Sequence, residues 1–180
     1  GEYIPGPDMG TDESCMGWIH DEIGRAVGLP RAIGGIPLDE IGATGFGLTV
    51  AIEEAAKTIG LSLRGARVAV QGFGAVGKHA ARFLAAKGAT LVAASDSTAT
   101  VQAKDCLDVA ALIAHKETRG GLRDFGARST APDAVVEVEC DIWIPAARPD
   151  VRATAMNSYA SLCDDFGVSS YVHGKLDMPT

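Results

Sequence analysis

Apolar residues recur at helical spacing in several stretches of the chain, at every third or fourth position along one face. Three such stretches lie at residues 12–25, 48–59 and 75–86. A fourth helix is predicted to begin at Asp105, as its N-cap, and to run to about Glu117. The pattern is weaker beyond residue 148, where it predicts a helix near 153–163.

Short apolar runs between these helices have the length and the β-branched content of buried strands. The runs lie at residues 67–71, 90–95, 135–138 and 140–144, with a weaker one at 170–173. A polar, glycine-bearing loop is predicted over roughly 119–133. Because strands alternate with helices, the pattern predicts an α/β fold: a Rossmann-like, doubly wound, mostly parallel sheet, preceded by a short N-terminal cleft segment.

The junction between the first long strand and its helix has the spacing G-x-G-x-x-G, in the run Gln71-Gly72-Phe73-Gly74-Ala75-Val76-Gly77. In this pattern Gly72 permits the tight turn, Gly74 lets a pyrophosphate approach the main chain, and Gly77 allows close helix packing. A helix N-terminus also attracts phosphate. The junction therefore predicts a dinucleotide-binding loop, and the alternative is a purely structural turn.

An acidic residue, Asp96, ends the second strand about 20 residues beyond the last glycine, where such folds place a ribose-binding carboxylate. A carboxylate that accepts both ribose hydroxyls favours NAD and repels a 2′-phosphate. The next residue, Ser97, suits a phosphate as well. NAD is therefore predicted over NADP, and NADP remains the alternative.

Composition narrows the class of protein further. The net charge of −7 and the scattered basic residues argue against a nucleic-acid partner, and no apolar run is long enough to cross a membrane. The four cysteines and four histidines show no metal-ligand spacing, so no metal is predicted. Widely spaced cysteines are typical of reduced thiols, which predicts a cytoplasmic protein. The first residue is Gly1 and not methionine, which suggests a processed chain or a fragment.

Four stretches in order carry a family resemblance: Ile4-Pro5-Gly6-Pro7-Asp8-Met9-Gly10-Thr11, Gly42-Ala43-Thr44-Gly45-Phe46-Gly47, the Gln71–Gly77 loop, and Cys140-Asp141-Ile142-Trp143-Ile144-Pro145-Ala146-Ala147. Together they resemble the dinucleotide-binding part of the glutamate/leucine/phenylalanine/valine dehydrogenase family, and its glutamate dehydrogenases most of all. The resemblance implies NAD(P)-dependent oxidative deamination of an L-amino acid, with glutamate as the first guess, to a 2-oxo acid and ammonia.

The resemblance also implies roles for individual residues. Asp8 corresponds to an aspartate that carries proton transfers, and its alternative is an Asx turn or a cap. Thr44 corresponds to a threonine that hydrogen-bonds the nicotinamide carboxamide, and its alternative is a helix N-cap. Ala146 and Ala147 correspond to backbone against which the nicotinamide ribose rests.

On this resemblance, residues 1–41 are the end of the substrate-binding part with a linking helix, and residues 42–180 are the dinucleotide-binding domain, with a truncated C-terminal part as the alternative. The expected partners are a small amino acid or 2-oxo acid and, in the full-length parent, further copies of the same chain. The lysines that such enzymes use lie upstream of the Asp8 segment, where this sequence offers none. The alternative is a dinucleotide-binding module without turnover of its own.

Overall fold

The structure, a computed structural model, describes residues 3–147 of the chain. In this range the helices are α1 (Glu13–Ile23), α2 (Leu38–Ile41), α3 (Ala43–Thr58), α4 (Ala75–Ala86) and α5 (Val109–Arg119). The strands are β1 (Arg67–Gln71), β2 (Thr90–Ser95), β3 (Thr100–Gln102), β4 (Arg128–Thr130) and β5 (Ile142–Pro145). Two 3₁₀ helices span Arg31–Ile33 and Pro132–Glu137.

The five strands form one sheet in the order β4-β3-β2-β1-β5. Strand β1 pairs in parallel with β2 on one side and with β5 on the other, whereas β3 and β4 add to the far edge as antiparallel strands. The predicted α/β fold with a mostly parallel sheet is therefore confirmed. The two antiparallel strands were missed because each has three residues, too few to show alternation.

The main apolar core lies between the sheet and helices α4 and α5. Val68 and Val70 of β1 meet Leu84 of α4 and Leu112 of α5 there, and each is almost fully buried. On the opposite face the small side chains of β1 and β2 pack against Val135. Among residues 3–147, no helix combines the length and the apolar character that a membrane crossing needs.

Two local predictions were wrong. The run at 135–138 is not a strand, because Pro132 opens a 3₁₀ helix whose Val135 fills the space beside the small side chains of the sheet.

The fourth helix does not begin at Asp105, since the Leu107 N–H donates to the Leu91 carbonyl oxygen of β2 at 2.7 Å and keeps that segment beside the strand. Its N-cap is Asp108, whose carboxylate accepts from the Ala111 N–H at 3.0 Å. The helix and strand predicted near 153–163 and 170–173 lie outside the described residues.

Helix α3 packs closely on α4, and small residues make that approach possible. A Cβ at Gly45 would lie 2.7 Å from His79 Cβ and 2.8 Å from the Ala80 backbone nitrogen, both on α4. One turn further along α4, the ring of Phe83 meets the ring of Phe46 edge to face, with centroids 5.4 Å apart. This contact joins the beginning of α3 to the second half of α4.

His79 is buried in this interface, with 6% of its surface exposed. Neither ring nitrogen has a hydrogen-bond partner of good geometry among the described residues. Burial lowers the pKa of His79 below its ordinary value, and the positive charges of Arg82 and Lys78 lower it further, against a smaller opposing effect from Asp39. The folded chain therefore holds this imidazole neutral.

This neutral imidazole predicts a loss of stability in mild acid. Unfolded histidine takes up a proton near pH 6.5, whereas folded His79 does so only at lower pH, so the free energy of unfolding falls as the pH drops through about 6.5. Thermal unfolding midpoints between about pH 7.5 and 5.5 measure this. The His79→Leu variant is expected to show a smaller decline, and the His20→Gln control to retain the wild-type decline. Equal declines in all three would contradict the assignment.

Candidate nucleotide-binding site

The bend between β1 and α4 is formed by main chain packed on main chain. Gly72 has a φ of 93°, in the left-handed region that favours glycine. A Cβ there would lie 2.7 Å from the carbonyl carbon and oxygen of Ala146 and from the nitrogen of Ala147. The Ala146 N–H in turn donates to the Gln71 carbonyl oxygen at 2.7 Å. The structure thus brings Ala146 and Ala147 against the first glycine of the predicted loop.

The other two glycines of the loop differ sharply in their surroundings. A Cβ on Gly77 would overlap the Gly72 carbonyl oxygen and approach Val70 Cγ1 to 2.9 Å. A Cβ on Gly74 would meet no heavy atom within 4 Å. Gly77 is therefore required by internal packing, whereas Gly74 borders open space on the outer side of the bend.

The N-terminus of α4 presents donors toward that open space. Gly74 is the N-cap and supplies no side-chain hydrogen bond. The first intrahelical bond runs from the Lys78 N–H to the Gly74 carbonyl oxygen, so the N–H groups of Ala75, Val76 and Gly77 lack intrahelical acceptors. These groups and the positive end of the helix dipole suit an anion such as a diphosphate.

Phe73, between the first two glycines, serves the protein interior. Its side chain is fully buried in the main core, and its N–H donates to the Ser95 carbonyl oxygen at 2.8 Å. The Gly72 N–H donates to the same oxygen at 2.9 Å. Phe73 therefore shapes the bend from inside, and the end of β2 holds the bend in place.

Asp96 lies directly after β2, but its carboxylate is engaged within the protein. Oδ1 accepts from the Thr98 N–H at 2.8 Å, the Thr98 hydroxyl at 2.6 Å and the Ala99 N–H at 3.2 Å. Oδ2 accepts from Lys116 Nζ at 2.7 Å and the Leu122 N–H at 3.0 Å. Burial by itself raises the pKa of Asp96, but the hydrogen bonds from Lys116 and Thr98 outweigh burial and lower the pKa below its ordinary value. The neighbouring Ser97 is exposed.

The two residues from the earlier motifs, Thr44 and Asp8, are both exposed. Thr44 lies in the first turn of α3, and the N-cap of this helix is Gly42, so the capping alternative for Thr44 is wrong. Asp8 makes local hydrogen bonds in the described part of the chain: Oδ1 accepts from the Met9 N–H at 2.7 Å, and its backbone pairs with Thr11. No described contact joins either side chain to the bend.

Two residues that bear on this site were not predicted from the sequence. Lys116 gave no signal besides its helical position, because its partner Asp96 is 20 residues away. Gln71 is buried at the end of β1, and its Oε1 has no hydrogen-bond partner among the described residues. The visible signal was a polar residue that ends an otherwise apolar strand. Within residues 3–147, no three His, Cys, Asp or Glu side chains are grouped as metal ligands would be.

The bend lies at the position in the sheet where open α/β proteins bind their ligands. Strands β2 and β5 lie on opposite sides of β1, so the chain reverses its direction of winding there, and the bend stands at the carboxyl end of β1. Open α/β sheets bind their ligands at such switch points. A model of the Glutamate/Leucine/Phenylalanine/Valine dehydrogenase family matches residues 34–160, well over half of the chain.

The chain therefore belongs to the glutamate/leucine/phenylalanine/valine dehydrogenase family, as its four ordered motifs suggested. It is similar in structure to the hetero-hexameric glutamate dehydrogenase from Thermus thermophilus in its leucine-bound form, with 30% identity and a TM-score of 0.69 over 86% of this chain and 45% of that one. It is also similar to the glutamate dehydrogenase from Peptoniphilus asaccharolyticus, with 29% identity and a TM-score of 0.58 over 81% of this chain and 35% of that one. The Plasmodium falciparum enzyme, at 21% identity and a TM-score of 0.67, shares the fold. The chain spans less than half of the length of each.

The different surroundings of Gly77 and Gly74 predict different effects on stability. Gly77→Ala is expected to lower the free energy of unfolding by about 2–3 kcal/mol or more, because the new methyl group meets main chain that cannot move aside. Gly74→Ala is expected to cost no more than about 1 kcal/mol, the typical effect of alanine at an N-cap. Urea unfolding measures both. Equal losses would contradict the packing described for the bend.

Proposed function

We propose that this chain supplies the cofactor-binding part of an NAD(P)-dependent amino acid dehydrogenase. The reaction is oxidative deamination of an L-amino acid to a 2-oxo acid and ammonia, and glutamate is the first substrate to test because the similar solved structures are glutamate dehydrogenases. A bound nicotinamide cofactor would accept the hydride, and the protein would contribute binding and orientation.

One observation carries this proposal: the bend at the switch point combines open space, free N–H groups and closely packed backbone. The N–H groups of Ala75, Val76 and Gly77 would bind the diphosphate, and the absence of a side chain at Gly74 would let it approach. The backbone at Ala146 and Ala147, which lies against Gly72, would form the neighbouring wall beside the nicotinamide ribose. These residues fit a dinucleotide.

The remaining roles in the proposal rest on the family match. Thr44 would hold the nicotinamide carboxamide, since its neighbour Gly45 packs on α4 and its own side chain is exposed. Asp8 would carry proton transfers, for which an exposed carboxylate is suited. We also propose a cytoplasmic parent that assembles from several copies, since the Thermus thermophilus relative is a hetero-hexamer. The boundary at residues 41 and 42 between the substrate-binding part and the cofactor domain belongs to the same proposal.

Nucleotide binding is the direct test. Calorimetric titration of the chain with NAD and with NADP is expected to show binding of at least one of them, and Gly74→Ala to weaken it about tenfold or more, because a methyl group would stand where the diphosphate approaches. The matched control is Gly17→Ala in α1, where a new Cβ would lie 3.4 Å from Pro30 Cγ, an ordinary contact. This control should bind as the wild type does.

Two results would oppose the proposal. Absence of binding for both nucleotides would remove its basis. Unchanged affinity in a folded Gly74→Ala variant would show that the nucleotide binds somewhere other than this bend.

Turnover separates the proposed enzyme from a module that only binds nucleotide. The chain spans less than half of the length of its solved relatives, and we expect the rest of the substrate cleft to come from the part it does not match. Glutamate-dependent reduction of NAD or NADP, followed by absorbance of the reduced cofactor, is expected to be near zero with this chain alone. Rapid turnover would mean that this chain already contains a complete catalytic set.

A further inference from the structure

Asp96 lies where three parts of the fold meet: the end of β2, the last turns of α5 and the loop after α5. A carboxylate has about four directions in which it accepts hydrogen bonds. Asp96 accepts five hydrogen bonds, all from this chain. Its side chain is only 6% exposed. The acceptor capacity of this residue is therefore used inside the protein.

This engagement conflicts with the role that the sequence assigned to Asp96. A carboxylate that reads a ribose must offer acceptors to the two hydroxyl groups, and the donors from Thr98, Lys116 and Leu122 already occupy both oxygens. The ammonium group of Lys116, 2.7 Å from Oδ2, also balances the negative charge that would repel a 2′-phosphate. The Asp96 carboxylate therefore gives the chain no reason to bind NAD more tightly than NADP.

The same contacts connect Asp96 to the glycine bend. Ser95, the residue before Asp96, accepts hydrogen bonds from the N–H groups of Gly72 and Phe73 through its carbonyl oxygen. Asp96 holds the turn after Ser95 through Thr98 and Ala99, and it anchors that turn to α5 through Lys116. The loop after α5 adds a further contact, since the Arg123 guanidinium donates to the Thr98 carbonyl oxygen at 2.7 Å. The position of the bend therefore depends on this anchored turn.

We infer that Asp96 is a positioning residue for the nucleotide-binding bend, and that it does not read the ribose 2′ position or set the preference between NAD and NADP. This inference rests on the proposed function, because it concerns a nucleotide bound at the bend. It predicts that loss of the Asp96 carboxylate weakens both nucleotides alike. A ribose-reading carboxylate would instead make its loss favour NADP.

The test measures dissociation constants of the chain for NAD and NADP by calorimetry, at a temperature at which every variant is folded by circular dichroism. Asp96→Asn retains one side-chain oxygen for the turn but loses the ion pair with Lys116. Both dissociation constants are expected to rise by the same factor, about three- to tenfold, with their ratio unchanged within about twofold.

Two further variants separate positioning from a general loss of stability. Lys116→Gln breaks the same ion pair from the other side and should weaken both nucleotides as Asp96→Asn does, with the double variant no weaker than either single variant. Val135→Ala removes core volume on the opposite face of the sheet, where Val135 packs against Ala69 and Ala93. It should lower the unfolding temperature but leave both dissociation constants unchanged.

Several results would overturn the inference. A shift of the ratio by about tenfold or more toward NADP in Asp96→Asn would show that the carboxylate reads the 2′ position. Unchanged dissociation constants in both Asp96→Asn and Lys116→Gln would reduce the pair to a structural role. If Asp96→Asn does not fold, Lys116→Gln decides: equal weakening of both nucleotides supports the inference, and unchanged dissociation constants overturn it. Absence of binding for both nucleotides in the wild type would instead overturn the proposed function and the inference with it.

Discussion

The approach of α4 to the end of β1 is the contact on which the rest of the described structure depends. Gly77 lies so close to the Gly72 carbonyl oxygen that no side chain fits between them. This approach brings the N-terminus of α4 to the carboxyl edge of the sheet, beside the end of β5. Because the contact is between main-chain atoms, the geometry of the bend tolerates no larger residue at Gly72 or Gly77. Gly74, by contrast, borders open space on the outer side of the bend.

The parts of the fold that the sequence predicted are those governed by local interactions. The unit β1–α4–β2 was predicted because glycines, apolar spacing and strand length all act within about 30 residues. Strands β3 and β4 could not be predicted, since they are short and pair across the 25 residues between Gln102 and Arg128. The choice of Asp108 over Asp105 as N-cap also depends on a distant contact, the hydrogen bond from Leu107 to β2.

The candidate site shows the same division. The glycine pattern located the bend, and the family resemblance singled out Ala146 and Ala147. The structure places these two residues against Gly72. Asp96 occupies the expected position after β2, yet its carboxylate is held by Lys116 and Leu122. Sequence spacing predicts where a side chain lies along a strand. It does not show which long-range donors will reach that side chain, because these come from the packing of α5 on the sheet.

The open N-terminus of α4 is also the feature that a single experiment can address most directly. Amide chemical shifts of the ¹⁵N-labelled chain, recorded while NAD or NADP is added, report which N–H groups meet the ligand. We expect the largest shifts at Ala75, Val76 and Gly77, with smaller ones at Ala146 and Ala147. Saturable shifts elsewhere on the chain, with these amides unmoved, would contradict it.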